Sequence, residues 1–220
     1  ALTDHSNMFD NDTSNENLTD WKNSTSSKWK TLKGAADKYN QDGKFAAIGA
    51  YEMTWSASTG GWGHINTFNT NWFSSRNNAA MDLKSYYNKL TAYPDQISMF
   101  NHPGKTFGDF SGFGFYNNEY DKVMQLIEVG NGDGKIRGSG YFPGYDEYTR
   151  ALDKVWHIAP ANDQDNHQKR WGDSNTARNV VYAESLTRDN IYDAYKKKRA
   201  YATEDENLII MYKVNGQIMG

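Results

Sequence analysis

Four of the five histidines in this 220-residue chain, His5, His64, His102 and His167, fall at or just after what reads as the end of a strand. Two carboxylates keep them company. Glu52 lies near the end of the apolar run "KFAAIGAYEMTW", and Asp165 stands two residues before His167 in "ANDQDNHQ". Imidazole nitrogen and carboxylate oxygen are the donors that Zn, Mn and Fe accept. A carboxylate such as Glu52 has two oxygens and could bridge two ions. Two close ions can clamp an in-line displacement at phosphorus and supply hydroxide at neutral pH. Each residue also has an ordinary reading: a histidine closing a loop, a glutamate paired with a lysine, an Asp-x-His shaping a turn. The chemical reading rests on their concentration, since only His157 falls elsewhere, in a helix-like segment. Cysteine is absent, so any metal must be held by His, Asp and Glu, without thiolate.

The elements that must position these residues follow from periodicity. The polar stretch 10–30 reads as a long loop leading into a helix near 27–40. Residues 44–55 read as a buried strand. Residues 76–92 carry Ala79, Ala80, Leu83, Tyr87 and Leu90 at helical intervals, and Pro94 closes the segment. "QISMFNHPG" reads as a strand entering a turn, and 122–134 as a strand ending in a glycine-rich loop. Residues 144–157 read as a helix with Tyr148, Leu152, Val155 and Trp156 on one face, followed by the short strand "HIAPAND". Thr187 is placed to N-cap a helix bearing Ile191, Ala194 and Tyr195. The end reads as a hairpin about Asn215-Gly216. Helices alternating with short apolar strands imply parallel strands covered by helices, in a barrel or a doubly wound sheet. In a parallel barrel the C-terminal edge of the strands gathers the working residues.

Composition narrows the function classes. The chain has 24 basic and 27 acidic residues and a net charge of −3, which weighs against gripping nucleic acid through bulk charge. No apolar run approaches a membrane span. Abundant asparagine and 15% aromatic residues fit a wet surface over a Tyr- and Trp-rich core, a composition common in secreted bacterial proteins; an extracellular or cell-surface location is the expectation. The chain opens on "ALTDHS", which reads as the end of a buried strand, so a fragment of a longer chain is also expected.

Several motifs, in order, resemble the PHP family (polymerase and histidinol phosphatase domains). "LTDHS" resembles its Thr-Asp-His motif, "IGAYEMT" its Gly-x-x-Glu or Gly-x-Glu strand, and "GGWGHINTF" the Gly-His segment that follows. "FNHPG" is similar to its His-Pro-Gly turn, "DNH" to its closing Asp-x-His, and the stretch 186–220 to its closing helix and hairpin. The resemblance implies a single domain over 1–220: an α/β fold, a distorted (β/α)7 TIM-like barrel of PHP type with a C-terminal β-hairpin. It implies a metal-dependent phosphoesterase that hydrolyses a phosphomonoester or phosphodiester, with two or three divalent ions (Zn, Mn or Fe). By motif, Glu52 would bridge two ions, His64 and His102 would complete one of them, and Asp165 would serve its neighbour. His5 and His167 would serve a third position, with Asp4 orienting His5.

The sequence departs from that pattern twice. The opening His-x-His pair is missing, as expected if the first barrel strand is absent, and residues 6–51 hold no histidine. Asp20, Asp37 or Asp42 could stand in for the latter. Glu52, His64 and His102 are therefore expected to keep metal best. An absent first strand would leave an exposed edge, through which a dimer could form.

Other motifs are weaker. "EVGNGDGKIRG" lacks the spacing of a calcium loop, since the twelfth residue from Asn131 is Phe142. It reads as a loop in which Asn131 could touch substrate, while Lys105, Arg170 or Arg178 could meet a phosphate. Trp55, Trp62, Trp72 and Phe73 around His64 read mainly as packing, with a sugar or base platform as the minor reading. "KKKR", 196–199, suits a helix C-terminus without any nucleic acid. The alternative to an enzyme is a non-catalytic surface or carbohydrate-binding domain derived from the same fold.

Overall fold

The most apolar runs of the sequence become the middle of one mixed sheet. The computed structural model describes residues 1–9, 17–77 and 80–220. Part of the loop expected over 10–30, and Ala79, lie outside the described residues. The sheet runs β1 (Leu2–His5), β2 (Gly49–Thr54), β3 (His64–Phe68), β4 (Ile97–Asn101) and β5 (Met124–Asn131). The two-residue β6 (Phe142–Pro143) and β7 (Ala159–Asp163) both pair with β5. The pairs β1–β2, β4–β5 and β5–β7 are parallel, whereas β3 runs antiparallel to both of its neighbours. The turn of β3 has a simple cause. Only nine residues, 55–63, join it to β2, too few for the crossover that a parallel return needs.

The chain does not form the closed seven-stranded barrel that the resemblance implied. The seven-stranded sheet is open, with β1 at one edge and β7 at the other, and a cavity of about 340 Å³ separates them. The free side of β7 is occupied by other parts of the chain. Asn179 Oδ1 accepts from the Asn162 amide at 2.6 Å, and Asn179 Nδ2 donates to the Asn162 carbonyl at 2.8 Å. A side-chain amide thus satisfies that edge in place of a strand. Asn179 belongs to β8 (Arg178–Val181), which forms a separate antiparallel pair with β9 (Ala200–Thr203). The opening strand is found at Leu2–His5, but it is a half-exposed edge strand, not a buried one.

Helices cover both faces of the sheet. On one face α1 (Ser27–Tyr39) and α2 (Leu83–Thr91) pack Trp29, Leu83, Tyr86, Tyr87 and Leu90 against Tyr51, Met53, Ile65 and Phe100. On the other, α6 (Arg188–Lys196) brings Tyr192 onto Ile97, Met99, Leu126 and Ala161. Neighbours in β4 alternate between the two faces, as a strand requires. The helix starts are chemically marked. Ser26 accepts from the Trp29 amide at 3.1 Å, Asp82 from Ser85 at 2.7 Å, and Thr187 from Asn190 at 3.3 Å. The short α3 (Phe110–Phe113) and α4 (Asn118–Asp121) lie between β4 and β5.

Two helices are shorter than their periodicity predicts. The one expected over 76–92 begins at Leu83, where Asp82 caps it. The one expected over 144–157 is α5 (Tyr145–Asp153); it buries Ala151 and leaves Leu152 and Val155 exposed. His157 lies beyond its end, with Nδ1 2.8 Å from Asp121 Oδ2. The expected hairpin is β10 (Lys213–Val214) and β11 (Gln217–Ile218), joined by Asn215 and Gly216, both at positive φ.

Candidate metal centre

The ladder registers bring the predicted residues to one edge of the sheet. His5 is paired with Glu52, Thr54 with His64, and His64 with Asn101. Because β3 is antiparallel, its first residue lies level with the ends of β2 and β4. His64 therefore opens its strand, rather than following a strand's end. Glu52 and Thr54, two apart on β2, share a face. His102 leaves the edge at a φ of 25°, a strained backbone for a residue with a Cβ.

Glu52 is the hub. It is buried, and its Oε1 lies 2.9 Å from Asn101 Nδ2, 3.3 Å from His64 Nδ1 and 3.5 Å from His102 Nε2. Its Oε2 accepts from Thr54 Oγ1 at 3.2 Å and contacts His5 Nδ1. Burial by itself would raise the Glu52 carboxyl, but hydrogen bonds from His102, His5 and His64 outweigh it and hold the group well below the usual carboxylate range. His5 is raised in turn, chiefly by its bond to Glu52. His64 is lowered, because burial outweighs its attraction to Glu52. Thr54 Oγ1, 2.7 Å from His5 Nδ1, and Glu52 hold the His5 ring, a task the resemblance gave to Asp4. Asp4 alternates to the more exposed side of β1.

An acidic flank adjoins this hub. Glu128, 1% exposed on β5, accepts from the His102 amide and, at 3.1 Å, from Asn131 Nδ2. Burial, then the charge of Asp163, pushes Glu128 well above the usual range, and burial raises Asp163 as well. Asp163 accepts from Asn66 Nδ2 at 3.3 Å and from the Asp165 amide at 3.1 Å. His167 bonds the Asp165 carbonyl at 2.8 Å, and its ring lies 5.8 Å from that of His5. Glu128 and Asp163 had escaped the sequence reading. The signal for Glu128 was present: it is the single acidic residue in the buried strand "MQLIEVGN", where a charge needs a partner.

These residues fit a divalent cation. Ligand atoms of His5, Glu52 and His64 lie within 4.8 Å of one another. Two further polar atoms beside them, His102 Nδ1 and Glu128 Oε1, are buried without a hydrogen-bond partner among the described residues. The donor set of imidazoles and carboxylates suits Zn, Mn or Fe.

Two cavities meet at the cluster. One, of about 550 Å³, is lined by residues 1–5 and 162–167 with Glu52, Arg178 and Asn179. The other, of about 420 Å³, runs past His102, Lys105 and Asn131, and the two share Glu128 and Asp165. Of the expected substrate contacts, Lys105 and Asn131 therefore line the second cavity. Arg170 lines neither, and folds back onto Asp173 with Nε 3.4 Å from Oδ1. Trp55, Trp72 and Phe73 are core residues, so the platform reading has lost three of its four rings.

Residues 2–101 match a family described as a protein of unknown function (DUF3604). No curated protein matches the sequence. Among solved structures, the chain is similar to a two-domain protein from Bacteroides vulgatus containing a predicted PHP-like metal-dependent phosphoesterase. That similarity has 17% identity and a TM-score of 0.56, and covers 93% of this chain and 55% of the other. It is a likeness of fold, over about half of the larger protein. PsfC from Pseudomonas syringae matches at 10% identity and a TM-score of 0.43, over 70% of this chain and 57% of its own. Among the described residues no helix is long and apolar enough to cross a membrane.

Proposed function

We propose that this protein is a metal-dependent phosphoesterase of PHP type. The observation that carries the reading is the convergence of His5, His64 and His102 on the buried carboxylate of Glu52. A buried carboxylate with three imidazoles around it is a donor set that suits a divalent cation. The PHP-like fold of the B. vulgatus protein supports the same reading. Divalent ions bound here would supply Lewis acidity and a water of lowered pKa. Glu52 would hold two ions together through its two oxygens. His64 and His102 would complete one ion's ligands, and Asp165 would serve the other. His5 bridges the hub to His167, which extends the donor set toward the 550 Å³ cavity. Glu128 fixes the strained turn at His102 through its amide, and so sets that imidazole's direction. Lys105, which lines the cavity past His102, would be the cation offered to a substrate phosphate.

The test pairs metal analysis with turnover. Protein purified without added metal is expected to carry Zn, Mn or Fe, and to hydrolyse 4-nitrophenyl phosphate or bis(4-nitrophenyl) phosphate. The variant H102A should lose both. Absence of metal after Zn or Mn supplementation, or full turnover in H102A, would overturn the reading.

A further inference from the structure

The cavity past His102 differs in chemistry from the one past His5. Phe107 and Phe142, 47% and 65% exposed, stand in its lining with Pro103 and Pro143. Glycine backbone supplies much of the remainder, and Lys105 is the one lysine there. Phe107 carries the apolar surface up to the histidine cluster itself. Its ring lies 4.6 Å from that of His102 and 5.3 Å from that of His64. The turn that bears it is closed by the reciprocal Gly104–Gly108 amide bonds, at 3.0 and 2.9 Å.

Phe142 is held just as firmly. The segment around it is clamped through Glu204, which accepts from Tyr145 Oη at 2.7 Å and Tyr141 Oη at 3.2 Å and pairs with Arg137 Nε at 3.2 Å. Two exposed phenyl groups are thus kept at the rim of a concave space by bonds elsewhere. Solvent exposure of large apolar side chains in a concavity marks a binding surface.

The glycine backbone of the lining is already bonded within the protein. The amides of Gly104, Gly132 and Gly144 donate to Gly108 O, Asp163 O and Val129 O, at 3.0, 3.1 and 2.9 Å. Asn131 Nδ2 gives one of its two hydrogens to Glu128, and the polar side chains of Lys105, Thr106 and Asp133 share the lining with the phenyl groups. A flat aromatic ring needs none of these partners and can stack on phenyl faces.

We propose that this arm binds an aromatic ring on the alcohol side of the phosphoester, with phosphorus at the Glu128–Asp165 junction. The inference rests on the phosphoesterase reading and adds the substrate class. In the reaction, water adds to phosphorus, the bond from phosphorus to the ring-bearing oxygen breaks, and that oxygen leaves protonated as the free alcohol or phenol.

Calorimetric titration of the Mn-supplied protein with phenylphosphonate and with methylphosphonate tests it without turnover. The phenyl compound is expected to bind at least tenfold more tightly. In F142A and F142L the ratio should fall, to below threefold in the alanine variant; both should fold, because Phe142 is largely exposed. Equal affinity for the two compounds, no binding of phenylphosphonate, or an unchanged ratio in F142A would overturn the proposal. Phenyl and methyl phosphates, assayed in parallel, separate the two readings. A Phe142-dependent phenyl preference without hydrolysis of either ester supports the arm and sinks the phosphoesterase. Hydrolysis of both with equal kcat/KM supports the phosphoesterase and sinks the arm.

Discussion

Replacing Glu52 by Gln keeps the shape of the hub and removes its charge, so its cost can be worked out atom by atom. Glu52 Oε1 faces Asn101 Nδ2, His64 Nδ1 and His102 Nε2, while Oε2 faces Thr54 Oγ1 and His5 Nδ1. A glutamine must put its NH2 at one of these places. At Oε1 it would meet the Asn101 NH2, donor against donor. At Oε2 it spares Asn101, and Thr54 and a deprotonated His5 can turn to accept. The second orientation wins, and the loss is then mainly one charge-assisted bond, about 1.5–3 kcal/mol. For a chain of this size that lowers Tm by about 3–12 °C, at about 2–4 °C per kcal/mol. The larger effect concerns metal. An ion at 100 times its Kd adds about 2.7 kcal/mol to the wild type. E52Q should show almost none of this gain, because the one carboxylate shared by three imidazoles is gone. Thermal unfolding with EDTA and with excess Zn or Mn, beside metal analysis, gives both quantities. A variant with wild-type metal content and an undiminished rise in Tm would refute the assignment of Glu52 as the hub.

Three further outcomes follow from other parts of the molecule. His5 has its folded pKa raised by Glu52, so in EDTA the pair's stabilisation is fully present below the unfolded pKa of about 6.5 and is lost as pH rises through the raised value. Metal must displace that proton, so metal affinity should increase over the same interval; titrating both between pH 6 and 9 checks the opposed slopes, and parallel slopes would contradict the coupling. Burial, offset in part by Asp37, lowers Lys33 to about 8. Between that pH and about 10.4 the unfolded chain holds a proton that the folded one has released, so stability contributed here rises with pH; K33M should be the more stable at pH 7 and should lose the rise in urea unfolding, and an unchanged pH slope would refute the burial argument. Gly132 has a φ of 109°, and a Cβ there would strike the Gly140 carbonyl oxygen. G132A is expected to cost about 1–3 kcal/mol for the backbone conformation alone and to weaken phenylphosphonate binding through the displaced Phe142 loop; wild-type stability and binding together would show that the loop adapts.

What could be read from the sequence depended on whether a residue's meaning was local. Thr187, Asn215-Gly216 and the apolar run 44–55 carry their signals within a few neighbours, and the structure contains the cap, the hairpin and a strand, the last confined to Gly49–Thr54. Glu52 and His102 also stood out locally, as polar residues ending apolar strands. The acidic flank did not. Glu128 lay inside a strand that read as apolar, and only the fold shows that its carboxylate sits beneath His102. Strand direction and closure are less local still. Alternating helices and strands pointed to parallel strands, in a barrel or a doubly wound sheet, yet the short link 55–63 reverses β3, and Asn179 occupies the side of β7 where closure would continue. The reversal leaves the site intact because a strand's start and its neighbours' ends share an edge. His64 was expected near Glu52 as the sequel to one strand, and it arrives there as the beginning of the next. The chemistry therefore depends on which edge a residue occupies, and a reversed strand with its histidine moved to the opposite end would serve equally well.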